Sequence, residues 1–259
     1  MYDPQKVELR KVVAPPYDVI SPEARKRYCS SSAHNIVWID YREDKPGEDK
    51  YEIAAALMDK WTDDQILARD TAPAIYLLEQ EFVNHSGELK RRKGFIALLR
   101  LENFKDGAVF PHEKTFPRQS QDRLNLLRAT CAHFNPVLAL YSERNGEARQ
   151  VLDAVAANSK PAIEITDEDG VVHRLWRIMS ADHIEHLRAI IKDRNIFIAD
   201  GHHRYETALA FAQGLRSQCG EFHGDEAFNY IMMCFVRMED PGLEILAAHR
   251  LLNDIPNFS

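Results

Sequence analysis

Five consecutive residues in the last quarter of the chain combine side chains that bind anions with side chains that move protons. They are Asp200, Gly201, His202, His203 and Arg204. The apolar run Ile196–Ala199 precedes them, and apolar residues recur at helical spacing after them. A strand, a tight turn capped by Asp200 and a helix are therefore predicted. Helix N-termini favour anions, and a guanidinium binds phosphate or carboxylate through two hydrogen bonds, so Arg204 is the predicted anchor of an anion site.

A second polar stretch, within Val109–Arg123, holds four reactive residue types between two prolines. They are His112, Glu113, Lys114 and Thr115, and Asp122 and Arg123 follow them. The segment lacks a second histidine four residues after His112, so it is not the helical motif of a zinc protease. Prolines on both sides restrict the backbone, which favours a loop that holds these side chains for function.

The third stretch is a predicted short extended segment, Lys11–Ala14, which is followed by a double proline and then by Tyr17 and Asp18. Proline fixes the backbone and removes an amide donor, so these two residues belong to a rigid loop. Such a loop is either a structural turn into the domain or a presentation of Tyr17 and Asp18 to a site. The segment alone does not decide between these two interpretations.

Composition excludes several classes of protein. The chain has 259 residues, 45% of them hydrophobic and 28% charged, which is typical of a globular enzyme. A formal net charge of −7 argues against a nucleic-acid partner. No apolar run approaches the ~20 residues of a membrane span. The N-terminus lacks the apolar core of a signal peptide, and the four cysteines lack paired spacing. A cytoplasmic protein with reduced thiols and no membrane partner is predicted, and its oligomeric state cannot be read.

Helical and strand patterns alternate, which predicts a single α/β domain over residues 1–259 with a mixed β-sheet and flanking helices. The predicted helices are a short one that begins at Ser21-Pro22, then Tyr51–Gln65, Gln121–Thr130, Gly146–Asn158, Ala181–Lys192 and the helix after Arg204. The predicted strands are Asn35–Asp40, a hairpin of Ile75–Val83 and Gly94–Leu101, Asn135–Tyr141, Ile163–Thr166, Val171–Ile178, Ile196–Ala199, Phe228–Arg237 and Leu243–His249. Because no capped helix or polar tail follows the last strand, we expect the natural protein to continue beyond Ser259.

Four motifs together resemble a known family. Ala14–Ser21 (APPYDVIS), Pro111–Thr115 (PHEKT), Asp122–Thr130 (DRLNLLRAT) and Ile198–Leu209 (IADGHHRYETAL) resemble, in order and spacing, the bacterial and archaeal family called domain of unknown function 1015. The resemblance covers nearly the whole chain and implies no activity. Members of that family are usually longer than this sequence.

The Asp200–Arg204 motif is also similar to the phosphate-binding turn of the ParB/sulfiredoxin superfamily, which includes nucleotide-dependent free-serine kinases, sulfiredoxin and CTP-binding partition proteins. This resemblance rests on one motif of about a dozen residues. It implies a strand–turn–helix element of that type. It also implies nucleotide phosphate contacts to Gly201, His202, His203 and Arg204.

The first functional hypothesis is a nucleotide-dependent kinase that phosphorylates a hydroxyl metabolite, such as serine, with ATP, ADP or another nucleotide and Mg²⁺ as cofactors. Phosphoryl transfer needs anchored phosphates, a divalent cation and a base. Glu113 and Asp200 are the candidate bases and Mg²⁺ ligands, and His202 and His203 are further catalytic candidates. Lys114, Arg118 and Arg123 are candidates for neutralising phosphate charge. The candidates for substrate contacts are Tyr17, Asp18, His112, Thr115 and Tyr205.

Three alternatives remain open. One is a phosphatase that uses His202 or His203 as nucleophile or acid. Another is a metal-dependent hydrolase with ligands among His112, Glu113, Asp200, His202 and His203. The last is a sensor that binds a nucleotide or metabolite without catalysis. We expect one anion-binding site at the 200–204 turn, on which the 111–115 and 15–18 loops converge. A separation above ~15 Å between Glu113 and His202 would exclude a shared pocket.

Overall fold

Eight strands form one mixed sheet in the computed structural model, which describes residues 1–113, 117–218 and 223–246, apart from the side chains of 106 and 117–119. The strands are β1 (Ile75–Val83), β2 (Leu89–Arg100), β3 (Val109–Phe110), β4 (Val137–Tyr141), β5 (Ile163–Thr166), β6 (Val172–Ile178), β7 (Ile196–Asp200) and β8 (Tyr230–Arg237). Their order across the sheet is β3-β7-β4-β8-β2-β1-β6-β5. The pairs β3–β7 and β4–β8 are parallel and the others are antiparallel. The predicted mixed α/β class is confirmed.

Eight α-helices accompany the sheet in the described part of the chain. They are α1 (Leu9–Val12), α2 (Pro22–Ser31), α3 (Val37–Asp40), α4 (Lys50–Asp63), α5 (Pro117–Thr130), α6 (Glu147–Asn158), α7 (Ala181–Lys192) and α8 (His202–Gln218). The predicted start of α2 is confirmed, because the Ser21 side chain accepts a hydrogen bond from the Ala24 amide and Pro22 is the first helical residue. None of the described helices is long and apolar enough to span a membrane.

The main hydrophobic core lies on one face of the sheet, where α6, α7 and α8 pack. Alternate residues of the central strands point into it, such as Leu77, Phe95 and Phe235, which are all nearly inaccessible to solvent. The rings of Phe95 and Phe235 stack with centroids 5.1 Å apart. This face is the support on which the start of α8 is held.

A second, smaller core lies among the N-terminal helices. Trp61 of α4, Ile39 of α3 and Leu126 of α5 are its centre. Helix α5 contacts both α4 and α8. The N-terminal third of the chain is thereby attached to the helix that begins at His202.

One predicted strand is wrong, and one predicted extended segment is partly helical. Asn35–Asp40 forms the short helix α3, because the Asn35 side chain accepts a hydrogen bond from the Val37 amide and donates to the carbonyls of Lys11 and Val13. The Lys11–Ala14 segment is partly helical and not wholly extended, since α1 runs to Val12. In the predicted strand Leu243–His249, residues 243–246 are irregular, and the remaining three lie outside the described residues.

Candidate functional site

The parallel pair β3–β7 brings two of the polar stretches together. Val109 pairs with Ile196, and Phe110 pairs with Phe197. The ends of parallel strands meet at the same edge of a sheet, so the segment after Phe110 leaves the sheet beside the segment after Phe197. Residues 111–113, the described part of the predicted 111–115 loop, therefore converge on the start of α8.

The imidazoles of His112 and His202 are in direct contact. Their rings are nearly perpendicular, with centroids 4.5 Å apart. The backbone N–H of His112 donates a hydrogen bond to Nε2 of His202, at 3.2 Å, and Nδ1 of His112 lies 2.7 Å from the Ile198 carbonyl oxygen. His202 is only 1% exposed, so this contact forms the buried part of the site.

Glu113 lies against the same buried imidazole. Its Oε1 is 3.1 Å from Nδ1 of His202, far inside the 15 Å limit for a shared pocket, and its side chain is 57% exposed. The approach lacks the alignment of a hydrogen bond, so Nδ1 of His202 has no hydrogen-bond partner among the described residues. Burial lowers the pKa of His202, and the nearby Glu113 carboxylate opposes this shift without reversing it. The site therefore joins a neutral buried imidazole to an exposed carboxylate.

The turn before α8 is built around Gly201 and not around an Asp200 cap. Asp200 is the last residue of β7, and the Gly201 carbonyl accepts the first hydrogen bond of the helix, from the Tyr205 amide. Gly201 has φ +91°, and a Cβ there would lie 2.8 Å from Cζ of Arg204. Only glycine accommodates both this backbone conformation and the guanidinium packed against it.

Arg204 is engaged within the protein, which differs from its predicted role as phosphate anchor. One terminal nitrogen donates to the Pro136 carbonyl and the other to the Asp200 carboxylate. The side chain is 12% exposed. The first-turn amides of α8, which have no intrahelical acceptors, are the remaining anion-binding groups of this turn.

Arg123 is also fully engaged, at a second cluster that joins α3, α5 and α4. Its nitrogens donate to the Asp40 carbonyl and carboxylate and to the Asp122 carboxylate, at distances from 2.7 to 3.1 Å. Asp40 also accepts from Asn135, and Asp122 from Lys50 and Tyr51. Burial raises the pKa of Asp40, although Arg123 opposes it. Burial also acts to raise the pKa of Asp122, but hydrogen bonds from Lys50 and Arg123 outweigh it and lower that pKa to about 2.

The 15–18 loop lies over this second cluster. The Tyr17 ring packs on the Arg123 guanidinium, with Cζ 4.0 Å from the ring centroid. Tyr17 and Asp18 line a cavity of about 510 Å³ together with Arg123 and Arg42, whose Nε has no hydrogen-bond partner among the described residues. A small adjoining cavity is lined by Tyr17, Arg123 and Arg204, so the 15–18 loop does reach the side of α8.

The remaining predicted site residues divide into three groups. Tyr205, a predicted substrate contact, lies in the core instead: it is fully buried, and its hydroxyl donates to the Glu102 carbonyl and accepts from the Glu102 amide. His203 is in the first turn of α8, beside His202. Lys114, Thr115 and the side chain of Arg118 lie outside the described residues.

Two contributors could not be found from the sequence, one at the site and one at the Arg123 cluster. The Ile198 carbonyl, which fixes the His112 ring, gives no signal in its residue type. Asp40 falls in the predicted strand Asn35–Asp40, where its apolar neighbours hide its role as the buried partner of Arg123. Potential ligand atoms of His112, Glu113 and His202 all lie within 4.8 Å of one another, a group that does not include the predicted metal ligand Asp200.

No curated protein and no solved structure matches this chain. The strand–turn–helix of β7, Gly201 and α8 has the form expected from the sequence, but no solved structure connects it to another fold family. The model of one protein family does match, over residues 1–259. The chain belongs to the family described as Protein of unknown function (DUF1015).

Proposed function

We propose that the protein is a nucleotide-dependent kinase that transfers a phosphoryl group to the hydroxyl of a small metabolite. One observation carries this proposal. The exposed Glu113 carboxylate lies at the first residue of α8, 3.1 Å from a buried imidazole nitrogen that has no hydrogen-bond partner in the described part of the chain. Buried polar atoms are normally paired, so an unpaired one beside an exposed acid supports a ligand site.

The N-terminus of α8 is the proposed phosphate anchor. This helix has 17 residues, and its first turn carries His202 and His203. A long helix presents amide donors and a partial positive charge at this end, which favour phosphate. The similarity of the Asp200–Arg204 motif to the ParB/sulfiredoxin turn supports the same placement. Arg204 then shapes the turn through Asp200 and Pro136 and does not itself bind phosphate.

Two carboxylates beside this anchor supply the remaining requirements. Phosphoryl transfer needs a divalent cation and a group that accepts the proton of the attacking hydroxyl. Glu113 and Asp200 are 57% and 54% exposed, so both can contact a ligand. We propose that one holds the cation and the other accepts the proton.

A metal-dependent phosphate-ester hydrolase is the second candidate. The observation that favours it is the grouping of His112, Glu113 and His202, whose potential ligand atoms lie within 4.8 Å of one another. Such a site could activate water without a nucleotide.

The test is nucleotide consumption that depends on an added acceptor. The protein is incubated with ATP, ADP or CTP, with Mg²⁺ or Mn²⁺, and with a panel of hydroxyl metabolites that includes serine. Turnover is expected with one pairing, and Glu113→Gln and Asp200→Asn are expected to lower it by about 10²–10⁴-fold. Glu185→Gln, at a 68% exposed position on α7, is the matched control and is expected to leave turnover unchanged.

The other outcomes assign other functions. Phosphate release from a monoester without nucleotide supports the hydrolase and contradicts the kinase. A nucleotide-specific rise in melting temperature that survives Glu113→Gln, without turnover on any acceptor, supports a sensor, because a ligand that binds only the folded state stabilises it.

A further inference from the structure

We propose that His112 and Glu113 bind a first-row transition-metal dication, and that His202 positions Glu113 without coordinating the ion. The chemical class of the ion follows from its two protein ligands, one imidazole nitrogen and one carboxylate oxygen. Equilibrium metal binding does not rest on the proposed kinase activity, so the two can fail separately.

The tautomer of His112 leaves the correct atom for coordination. A carbonyl oxygen can only accept, so the contact of 2.7 Å with Ile198 requires a proton on Nδ1 of His112. In the neutral ring, Nε2 then carries a lone pair. Metal-bound histidines in proteins are held by this type of hydrogen bond from the second ring nitrogen to a carbonyl or carboxylate. His112 is thus already oriented as a ligand.

The tautomer of His202 is the opposite and excludes it as a ligand in this arrangement. The backbone N–H of His112 can only donate, so Nε2 of His202 carries the lone pair that accepts it, at 3.2 Å. The proton of the neutral ring is then on Nδ1, which faces Oε1 of Glu113 at 3.1 Å. The contact is not aligned as a hydrogen bond, but the attraction between the Nδ1 proton and this oxygen holds one side of the Glu113 carboxylate and leaves its other oxygen for the ion.

The distances allow the ion to bind with small movements. Ligand bonds of about 2.1 Å place two atoms on one ion at most about 4.2 Å apart. The potential ligand atoms of the cluster all lie within 4.8 Å of one another. A shift on the order of 1 Å brings such atoms within bonding range of one ion, and the Glu113 side chain, at 57% exposure, has room to make it.

The ligand types select against magnesium. Mg²⁺ prefers oxygen ligands and retains most of its water, whereas imidazole suits zinc and other late first-row ions. Two protein ligands leave open positions for water or for phosphate oxygens. If the protein is the proposed kinase, Glu113 is the carboxylate that holds the ion and Asp200 is the proton acceptor, and this assignment alone rests on the proposed function.

The experiment is calorimetric titration of the full chain with Zn²⁺, Mn²⁺ and Mg²⁺ in the absence of nucleotide. A Cys131→Ser background removes an exposed free thiol that could bind zinc. One Zn²⁺ per chain is expected, with an affinity at least about 10-fold above that for Mg²⁺. His112→Ala is expected to remove this binding, and His202→Asn to weaken it by about 10–100-fold.

The matched control is His186→Ala on α7, because His186 also lies near a glutamate, with Nε2 3.7 Å from Glu147, but is 51% exposed. It is expected to leave binding unchanged. Equal Zn²⁺ affinity in wild type and His112→Ala would overturn the site. Complete loss in His202→Asn would overturn its positioning role and make it a ligand.

A measurement on the wild type covers the case in which a variant does not fold. Imidazole ¹⁵N NMR distinguishes the ring nitrogens, and Zn²⁺ is expected to shift Nε2 of His112 and to leave Nδ1 of His202 protonated. A shift at Nδ1 of His202 with loss of its proton would contradict the assignment. Zinc binding without phosphoryl transfer would leave the site intact and contradict only the kinase.

Discussion

Two clusters of charged residues, both chosen from the sequence as candidates for function, differ in how completely their polar atoms are paired. At the Arg123 cluster, every guanidinium nitrogen donates, and both Asp40 carboxylate oxygens accept. At the His202 cluster, Nδ1 of the buried ring lacks a hydrogen-bond partner in the described part of the chain, and the neighbouring carboxylate is more than half exposed.

This difference in pairing distinguishes charged residues that stabilise the fold from charged residues that bind a ligand. A satisfied buried ion pair holds helices together and has little capacity left for a ligand. An unsatisfied imidazole beside an exposed acid costs stability and is retained where a ligand completes it. We therefore expect substitutions in the first cluster to affect folding and those in the second to affect binding and turnover.

The largest effect on stability is expected from Arg123→Ala. This change leaves the carboxylate of Asp40 buried without its cation, which typically costs about 3–5 kcal/mol. Urea unfolding measures the loss. Arg188→Ala, at a 76% exposed site in an i,i+3 pair, is the control and is expected to cost under about 0.5 kcal/mol. A loss below about 1 kcal/mol for Arg123→Ala would remove the distinction between the clusters.

Asp122→Asn is expected to have a smaller and acid-dependent effect. The folded pKa of Asp122 is about 2, below its ordinary value of 3.8, so its stabilisation is present above pH 3.8 and is lost as the pH falls toward 2. The variant should lack this contribution, on the order of 2 kcal/mol. Unfolding free energies of both proteins between pH 5 and 2 test it. Parallel curves would contradict the lowered pKa of Asp122 in the folded protein.

His202→Asn is expected to change the pH dependence of stability near neutrality. Because the folded pKa of His202 is lowered from 6.5, the unfolded chain binds a proton that the folded protein does not, and stability falls as the pH drops below 6.5. The variant should show a shallower fall between pH 7.5 and 5.5. Burial lowers the pKa of His133 as well, so a residual slope remains. Identical slopes in urea unfolding would contradict a neutral His202.

The smallest effect on stability is expected from Glu113→Gln. An exposed carboxylate without an aligned hydrogen bond contributes within about 0.5 kcal/mol. The same variant is expected to lose most turnover, so thermal unfolding and activity should separate. Destabilisation above about 2 kcal/mol would place Glu113 with the structural residues of the Arg123 cluster.

The sequence was sufficient for elements with strong local signals. Helix α7 has its predicted bounds, because its apolar residues share one face and Ser180 caps its first turn. The hairpin of β1 and β2 was found from its turn and flanking apolar runs. The run Asn35–Asp40 was too short for periodicity to separate strand from helix, and the Asn35 side chain decided for the helix.

The residue types of the site could be predicted from the sequence, but several contacts between these residues and the rest of the fold could not. His112, Glu113 and His202 could be chosen by residue type and motif. The hydrogen bond from Arg204 to the Pro136 carbonyl could not be predicted, because it depends on contact between α8 and the segment that precedes β4. The burial of Tyr205 could not be predicted either. It follows from the packing of α8 on the sheet and from the stacking of the Tyr205 ring on the Phe104 ring, with centroids 5.1 Å apart. Long-range contacts, and not local propensity, set these roles.

The two-residue strand β3 makes the assembly of the site depend on a small element of the sheet that can open locally. It forms the edge of the sheet, held by its pairing with β7, by a hydrogen bond of 2.9 Å from the Ile196 amide to the Ala108 carbonyl and by the stacking of Phe110 on Phe197. So small an edge can open at a cost below global unfolding. Such an opening would separate His112 from His202, so the hydrogen-exchange rate of the Ile196 amide reports the fraction of molecules with an assembled site. A ligand that bridges the two segments should slow that exchange in proportion to its occupancy.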